Sequence, residues 1–468
     1  MIATPDSHAS SGHPNPLRQA FLEYTEAAIQ ELQRICPEQA SDVLHGLDEW
    51  RRDSDGVFRL HDREDPYWVQ CIRTHRNLLH SLPEYARLIA LLRSDPDIAM
   101  QIDTLVGTAS MARRVDVDEI ADHLLFAVPR EAGALRFDEA VFDRILGEFE
   151  CNLRRNRVGY TLLVPLLGVS LDQAPIKLAS GLEIDVMKDE EIVTCLGAGL
   201  LPDQLGMRRM RLSKQEVGLR ITYDLDRRIG EQTLPVPQPN TQQETVERAM
   251  AVLRALRVFK EGRVSIPGLV HFSTSWPVKG GMNISFANPG PMPWFNKYEL
   301  SRQDCQALIE FWRQFEAVTQ QGALANAVRR FSYASERGRP DDQLIDLMIA
   351  AESLFLSDAG SPEDRGELRY RLALRAAFFI DSQEYSRREI YSHMRRAYGA
   401  RSTIVHGSEE VAVRTLKSPK GEATSLDEFT RLTERIMRAA LQKAVRIAKP
   451  GSGMVVDWEG LIMPNETQ

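Results

Sequence analysis

An arginine and a histidine, Arg401 and His406, stand five positions apart in the segment YGARSTIVHG at 398–407. Together these side chains are what metal-free cleavage of RNA requires. An imidazole takes the proton of a ribose 2′-OH or gives one to the departing 5′-oxygen. A guanidinium turns forked donors toward the phosphate as charge builds on it. Tyr398 and Ser402 add hydroxyls suited to positioning that phosphate. One histidine does not easily make both proton transfers, so the chemistry asks for two copies facing each other across a homodimer. The interval alone is not selective. Arg388 with His393 repeats it, Arg73 with His80 fits the looser pattern of arginine, four to six residues, histidine, and those histidines read as packing or surface residues. The 401–406 pair differs by ending on Gly407, by an arginine inside an apolar stripe and by a candidate carboxylate on a neighbouring helix.

The surrounding residues have the spacing of a helix. At about 100° per residue, Ile390, Met394, Ala397, Ile404 and Val405 fall within about 40–60° of Arg401, and His406 lies about 140° away. A guanidinium in such a stripe needs a partner, because taking an unpaired charge out of water costs several kcal/mol. Gly407 ends the helix and leaves His406 by the C-terminal carbonyls. The partner is expected in QLIDLMIAAESLFL at 343–356. There Leu344, Leu347, Met348, Ala351 and Phe355 make one apolar face, and Glu352 falls in an adjoining stripe with Ile345, Ile349 and Leu356. Arg401, Arg371 and Arg375 compete for this carboxylate. A buried ion pair with no catalytic role satisfies the same pattern, and a pair that holds Arg401 in a fixed pose satisfies it too.

The rest of the chain sets bounds. Its 468 residues exceed one ordinary core, and 43% hydrophobic with 26% charged residues fits a soluble multidomain protein. No apolar run reaches the roughly 18–20 residues of a membrane span. The opening MIATPDSHASSGHPNP lacks a basic region followed by an apolar one, so it reads as a disordered tail and not a signal peptide. A cytoplasmic protein with no membrane partner is the expectation. Five cysteines stand apart without CxxC or histidine pairing, which predicts packed thiols and neither zinc nor disulfides. No phosphate-cradling, nucleophile-elbow or dinucleotide motif is found, so no cofactor or metal is expected. Residues 301–449 carry 24 Lys+Arg against 21 Asp+Glu, a balance of +3, which leaves −11 for the rest of a chain whose total is −8. A polyanion therefore has one region to meet.

Texture divides the chain into a multidomain α+β protein. After the tail at 1–16, residues 17–155 have helical periodicity and predict a helical N-terminal domain. Residues 156–300 change to β-branched, alternating runs around one inserted helix, QQETVERAMAVLRALRVF, and predict a mixed α/β regulatory domain with a small sheet under that helix. Residues 301–449 return to long amphipathic segments with short connections and predict an antiparallel helical bundle. Ser386 with Glu389 and Ser425 with Glu428 predict capping boxes at two of its helices. Residues 450–468 read as a C-terminal tail. The segment SEEVAVRTLKSPKGEATS after His406 has the make-up of a mobile loop, from which Lys417 and Lys420 are candidate RNA contacts beside Arg371 and Arg375.

The runs AVRRFSYASERGRPDDQLIDLMIAAESLF, ELRYRLALRAAFF and YGARSTIVHG resemble the ApeA-type branch of the HEPN superfamily, closely over about 323–448 and more loosely over 141–300. The resemblance implies an all-helical HEPN bundle that dimerises. It implies a metal-independent endoribonuclease whose R-x(4–6)-H motif, here Arg401 and His406, is composite across the dimer, with Glu352 as the acidic residue of the earlier helix. It also implies a toxin-like abortive-infection effector in bacterial defence against phage, cleaving RNA, often tRNA, after a phage-derived trigger. The family often has Asn, Asp or His after the motif arginine, and this chain has Ser402. A catalytically inactive module that binds RNA, a nucleotide or a protein partner is the alternative, and a purely structural dimerisation bundle is a third.

Overall fold

The computed structural model describes residues 15–36, 42–102, 104–106, 113–155, 157–201, 209–211, 216–226, 241–273, 282–287, 297–320, 322–358, 367–407, 416–451 and 454–463. It combines helices with a small antiparallel sheet, an α+β architecture.

The first region packs α1 (Pro16–Ile35), α2 (Tyr67–Thr74), α3 (Arg76–Leu79), α4 (Pro83–Ser94), α5 (Pro96–Ala99), α6 (Val117–Ala132) and α7 (Glu139–Arg154). Pro16 opens α1, where a missing N–H costs nothing, and the Asn15 side chain accepts from the Leu17 N–H at 3.1 Å. Phe21, Ile29, Leu124, Phe142 and Phe149 meet in a core of their own. Most of the tail expected over 1–16 lies outside the described residues. The expectation of a wholly helical 17–155 is corrected. A hairpin of β1 (Asp42–Arg52) and β2 (Val57–Asp65) stands in it, closed where the Asp53 N–H donates to the Val57 carbonyl at 2.9 Å and Gly56 takes φ +78°. Its strands are crowded with charged residues, so no apolar alternation announces them. A two-residue pair, β3 (Leu105–Val106) and β4 (Arg113–Arg114), lies farther on. Cys36, at the end of α1, hydrogen-bonds the Cys71 thiol of α2; burial, then that contact, pushes the Cys36 thiol up to about 12.

The middle region contains β5 (Arg157–Pro165), β6 (Val169–Leu171), β7 (Ile176–Ala179), β8 (Leu182–Val186), α8 (Asp189–Gly197), β9 (Arg209–Arg211), β10 (Val217–Asp226), α9 (Thr241–Phe259), β11 (Gly268–Ser273), β12 (Met282–Phe286) and β13 (Tyr298–Leu300). Six strands form one antiparallel sheet in the order β12-β11-β5-β10-β8-β7. Alternation along β5 and β10 sorts the two faces. Leu162, Val164, Leu219 and Ile221 pack with Val252, Leu253 and Leu256 of α9, as the inserted helix predicts. Leu163 and Val270 face the other way, onto Ile192, Cys195 and Leu196 of α8 and Phe58 of the hairpin. β9 pairs with β2, so the hairpin ties the first region to the second.

The last region is the bundle: α10 (Arg302–Val318), α11 (Gly322–Ala334), α12 (Pro340–Phe355), α13 (Leu368–Phe379), α14 (Arg387–Val405) and α15 (Leu426–Ile447), then a short α16 (Trp458–Ile462). Its core is continuous with the α9 face of the sheet, so the change of texture near 300 is not a change of core. The carbonyl end of α9 is held by α15: Arg438 Nε donates to Arg257 O at 3.1 Å, and Gln442 Nε2 donates to Val258 O and Phe259 O at 3.1 and 2.8 Å. Residues expected to be a tail are part of this packing. Trp458 lies against Phe355 and Phe379 with ring centroids 6.0 and 5.7 Å away.

Candidate functional site

α14 carries the arginine–histidine pair, and its start is fixed by the expected capping box. The Glu389 N–H donates to Ser386 Oγ at 3.3 Å, and the Ser386 N–H donates to Glu389 Oε2 at 2.8 Å. At Ser425 one half of the box forms, with the Glu428 N–H donating to Ser425 Oγ at 3.2 Å. Ile390, Met394 and Ala397 are fully buried, but the stripe runs out in the last turn, where Ile404 is half-buried and Val405 is exposed. Arg401 sits at that margin. Its side chain keeps 27% of its exposure, so it is shielded without being sealed in. His406 closes the helix as its C-cap residue, its N–H bonded to Ser402 O at 3.2 Å, and Gly407 follows at φ +78°. Its side chain is exposed and, among the described residues, has no hydrogen-bond partner. Five helical steps, about 7.5 Å of rise, separate the two residues along the axis.

Glu352 on α12 pairs with Arg401, Nη1 to Oε1, at 3.7 Å. At that distance it is an ion pair and not a hydrogen bond. The Nε of Arg401 is buried without a hydrogen-bond partner among the described residues. Tyr398 completes the group. Burial raises its pKa, as do the Glu352 charge and a hydrogen bond to that carboxylate, while Arg401 opposes the shift. Ser402 is half-buried on the same turn. The Arg401 fork is thus aimed by a charge at its side, and among the described residues it has no hydrogen-bond partner.

Other enclosed arginines of the chain are built differently. Arg220 spreads its fork over Glu183, Asp185, Glu191 and the Val186 carbonyl. Arg375 donates to Phe355 O at 2.6 Å and to both oxygens of Asp358 at 2.6 and 2.8 Å, and its guanidinium lies 4.9 Å from the Trp458 ring centroid. Arg375 is therefore corrected from an RNA contact to a clamp that fastens α16 to the bundle. The sequence names Arg375 and Arg371 as rivals for Glu352 but gives no hint of Asp358. The Asp358 carboxyl is held below its usual range by the Arg375 hydrogen bonds first, and half-buried Arg371 adds its charge from farther off.

Lys417 and Lys420 are exposed, as expected of RNA contacts and of solvated lysines alike. The segment around them is not a loose loop. Lys417 bridges Ala423, the Ser418 N–H donates to Glu422 O at 2.7 Å, and Arg396 donates to the Lys417 and Ser418 carbonyls at 3.1 Å. The first half of that segment, 408–415, lies outside the described residues.

Three residues on or against α14, between Tyr391 and the pair, are not among the sequence candidates. Arg369 donates from Nε to Arg395 O at 2.8 Å and lays its guanidinium over Gly399, where a Cβ would stand 3.1 Å from it. Tyr370 follows, with an exposed ring. A glycine inside a helix costs about 1 kcal/mol against alanine. Gly399 in YGARS was the available signal that something approaches the backbone there.

The two look-alike intervals have other fates. His393 is fully buried, with Nε2 2.9 Å from Thr433 Oγ1, and burial pushes its pKa down to about 3. His80 belongs to a polar knot on α3 and α6. Its Nε2 lies 3.1 Å from both oxygens of buried Asp122, which also accept from Tyr24 Oη and Arg76 Nε at 2.9 Å. Tyr85 stacks on the His80 ring at 4.0 Å and hydrogen-bonds Asp118.

No helix among the described residues is long and apolar enough to cross a membrane. Comparison with family models, with curated proteins and with solved structures gave no match.

Proposed function

We propose that the chain is a metal-independent endoribonuclease of the HEPN kind, acting as a homodimer. One observation carries the reading: Arg401, aimed by Glu352, keeps part of its side chain exposed on the last turns of the helix that ends at the exposed His406. The fork binds the scissile phosphate and gains strength as its oxygens take on charge. His406 of one subunit takes the proton of the 2′-OH, whose oxygen attacks phosphorus. The P–O5′ bond breaks, and the second subunit's copy of this histidine protonates the leaving oxygen. The products are a 2′,3′-cyclic phosphate and a 5′-OH end. Ser402 helps to seat the phosphate, and tRNA is a candidate substrate.

The test is incubation of the full chain with total RNA in EDTA, alongside His406→Ala. Cleavage that leaves cyclic phosphate ends and vanishes in the variant is the expected result; RNA left intact by both proteins overturns the activity. In the defence role that the resemblance implies, wild type lowers phage yield in cells and His406→Ala does not.

A second reading, an RNA-binding module without catalysis, is favoured by Ser402, which stands where the resembled family often has Asn, Asp or His, and by the acidic remainder of the chain. Binding without cleavage in the same assay would select it.

A further inference from the structure

We propose that Tyr370 and Arg369 form a stacking subsite for an unpaired base of single-stranded RNA, on the face of α14 that leads to His406, with the Tyr370 ring at Tyr391, about 15 Å along the helix from Arg401. The proposal rests on the ribonuclease reading above and specifies its substrate. On the α14 wheel, Tyr391, Arg395, Ser402 and His406 fall within about 60° of one another, a strip about 22 Å long. The same side carries Arg388, Tyr398 and Gly399 and no acidic residue, in a chain of net charge −8.

The α13 neighbours complete this strip. Tyr370 is 47% exposed, a high value for a tyrosine ring on a packed helix. Its ring is nonetheless braced, edge-on to Tyr391 with centroids 6.0 Å apart and planes at 76°. A ring held at its edge with its flank in solvent is a platform on which any base can stack. Arg369 lies beside it, exposed, with Nε fixed on Arg395 O and the guanidinium flat across Gly399. That pose presents a second π-face and a charge between the platform and Ser402. A duplex hides its base faces in its own stack, so this subsite selects single strands.

The experiment uses full-length His406→Ala as a non-cleaving binder and a short labelled oligoribonucleotide, single-stranded or annealed to its complement, read by fluorescence anisotropy. Adding Tyr370→Ala is expected to raise the Kd for the single strand about 10-fold, the size of one lost base stack. Tyr370→Phe keeps the affinity, and the duplex is unaffected by either change. An unchanged Kd in Tyr370→Ala and Arg369→Ala, with cleavage by wild type intact, overturns the subsite and leaves the ribonuclease reading standing. No RNA bound by His406→Ala and none cleaved by wild type overturns both. Conversion of a dimer to a monomer by Tyr370→Ala in light scattering, at unchanged RNA affinity, makes this face a subunit interface and overturns the subsite.

Discussion

The Arg76–His80–Asp122 group of the N-terminal helices and the Arg401–His406–Glu352 group of the bundle use the same residue types for opposite ends. Both histidines cap the C-terminus of a helix. Over His80, α6 lays two carboxylates and α4 a tyrosine ring, and the buried Asp122 takes up Tyr24, Arg76 and His80 together. His406 is exposed, and Glu352 meets Arg401 only by charge. A buried polar network that satisfies itself gives rigidity, whereas a partly exposed guanidinium held only by charge has binding capacity left. Arg73 with His80 and Arg401 with His406 both fit arginine, four to six residues, histidine, so spacing does not separate the two cases. What packs against the histidine does.

The sharpest way to break this contrast is to exchange loss of function for loss of stability. His406→Ala should lower RNA cleavage by about 10³-fold without moving the thermal midpoint, as expected of a general acid–base group. Asp122→Ala should do the reverse, costing about 2–3 kcal/mol in urea unfolding because it strands buried donors, with cleavage per folded molecule unchanged. If Asp122→Ala silenced cleavage without a stability loss, the N-terminal knot would be the working site and the contrast would invert.

Glu352→Gln sharpens the bundle side. It keeps the shape but removes the charge that aims Arg401, and a cleavage rate lowered by about 10–100-fold at constant RNA affinity is expected. Acid tests the third interval. His393 and His271 are neutral in the fold, with pKa values pushed by burial to about 3 and about 4 from 6.5. Their folded values are depressed, so their stabilisation is complete above pH 6.5 and is lost as pH falls toward 4. The slope should be about 1.4 kcal/mol per pH unit for each histidine. His393→Leu should flatten the measured slope of stability against pH by one such increment. The smallest effect is expected at Lys417→Ala with Lys420→Ala. Solvated lysines leave the salt dependence of RNA binding unchanged to within about one charge, and a steeper change would place them on phosphates.

Much of the bundle was legible because apolar periodicity, Ser386 and Glu389 all point to the same helix boundaries. The Glu352–Arg401 pairing was legible as one of several options, since each residue interrupts an apolar stripe and has to be compensated. The hairpin at 42–65 was hidden because charged side chains on both faces erase the two-residue period. The role of Arg375 was hidden for another reason. Asp358 lies just past the end of α12 and Trp458 lies in a segment that reads as a tail, so no local pattern links them. Arg369 and Tyr370 were missed because exposed residues leave no mark on periodicity, and only Gly399 recorded the approach of Arg369.

The end of α9 has one more consequence. Three of its last carbonyls take their donors from Arg438 and Gln442 on a helix nearly two hundred positions away in the chain. Pulling the two apart strands each acceptor at about 1–3 kcal/mol. The sheet layer and the longest bundle helix are thus geared to each other: a tilt imposed on one is carried by the other as a rigid coupling before these bonds give way.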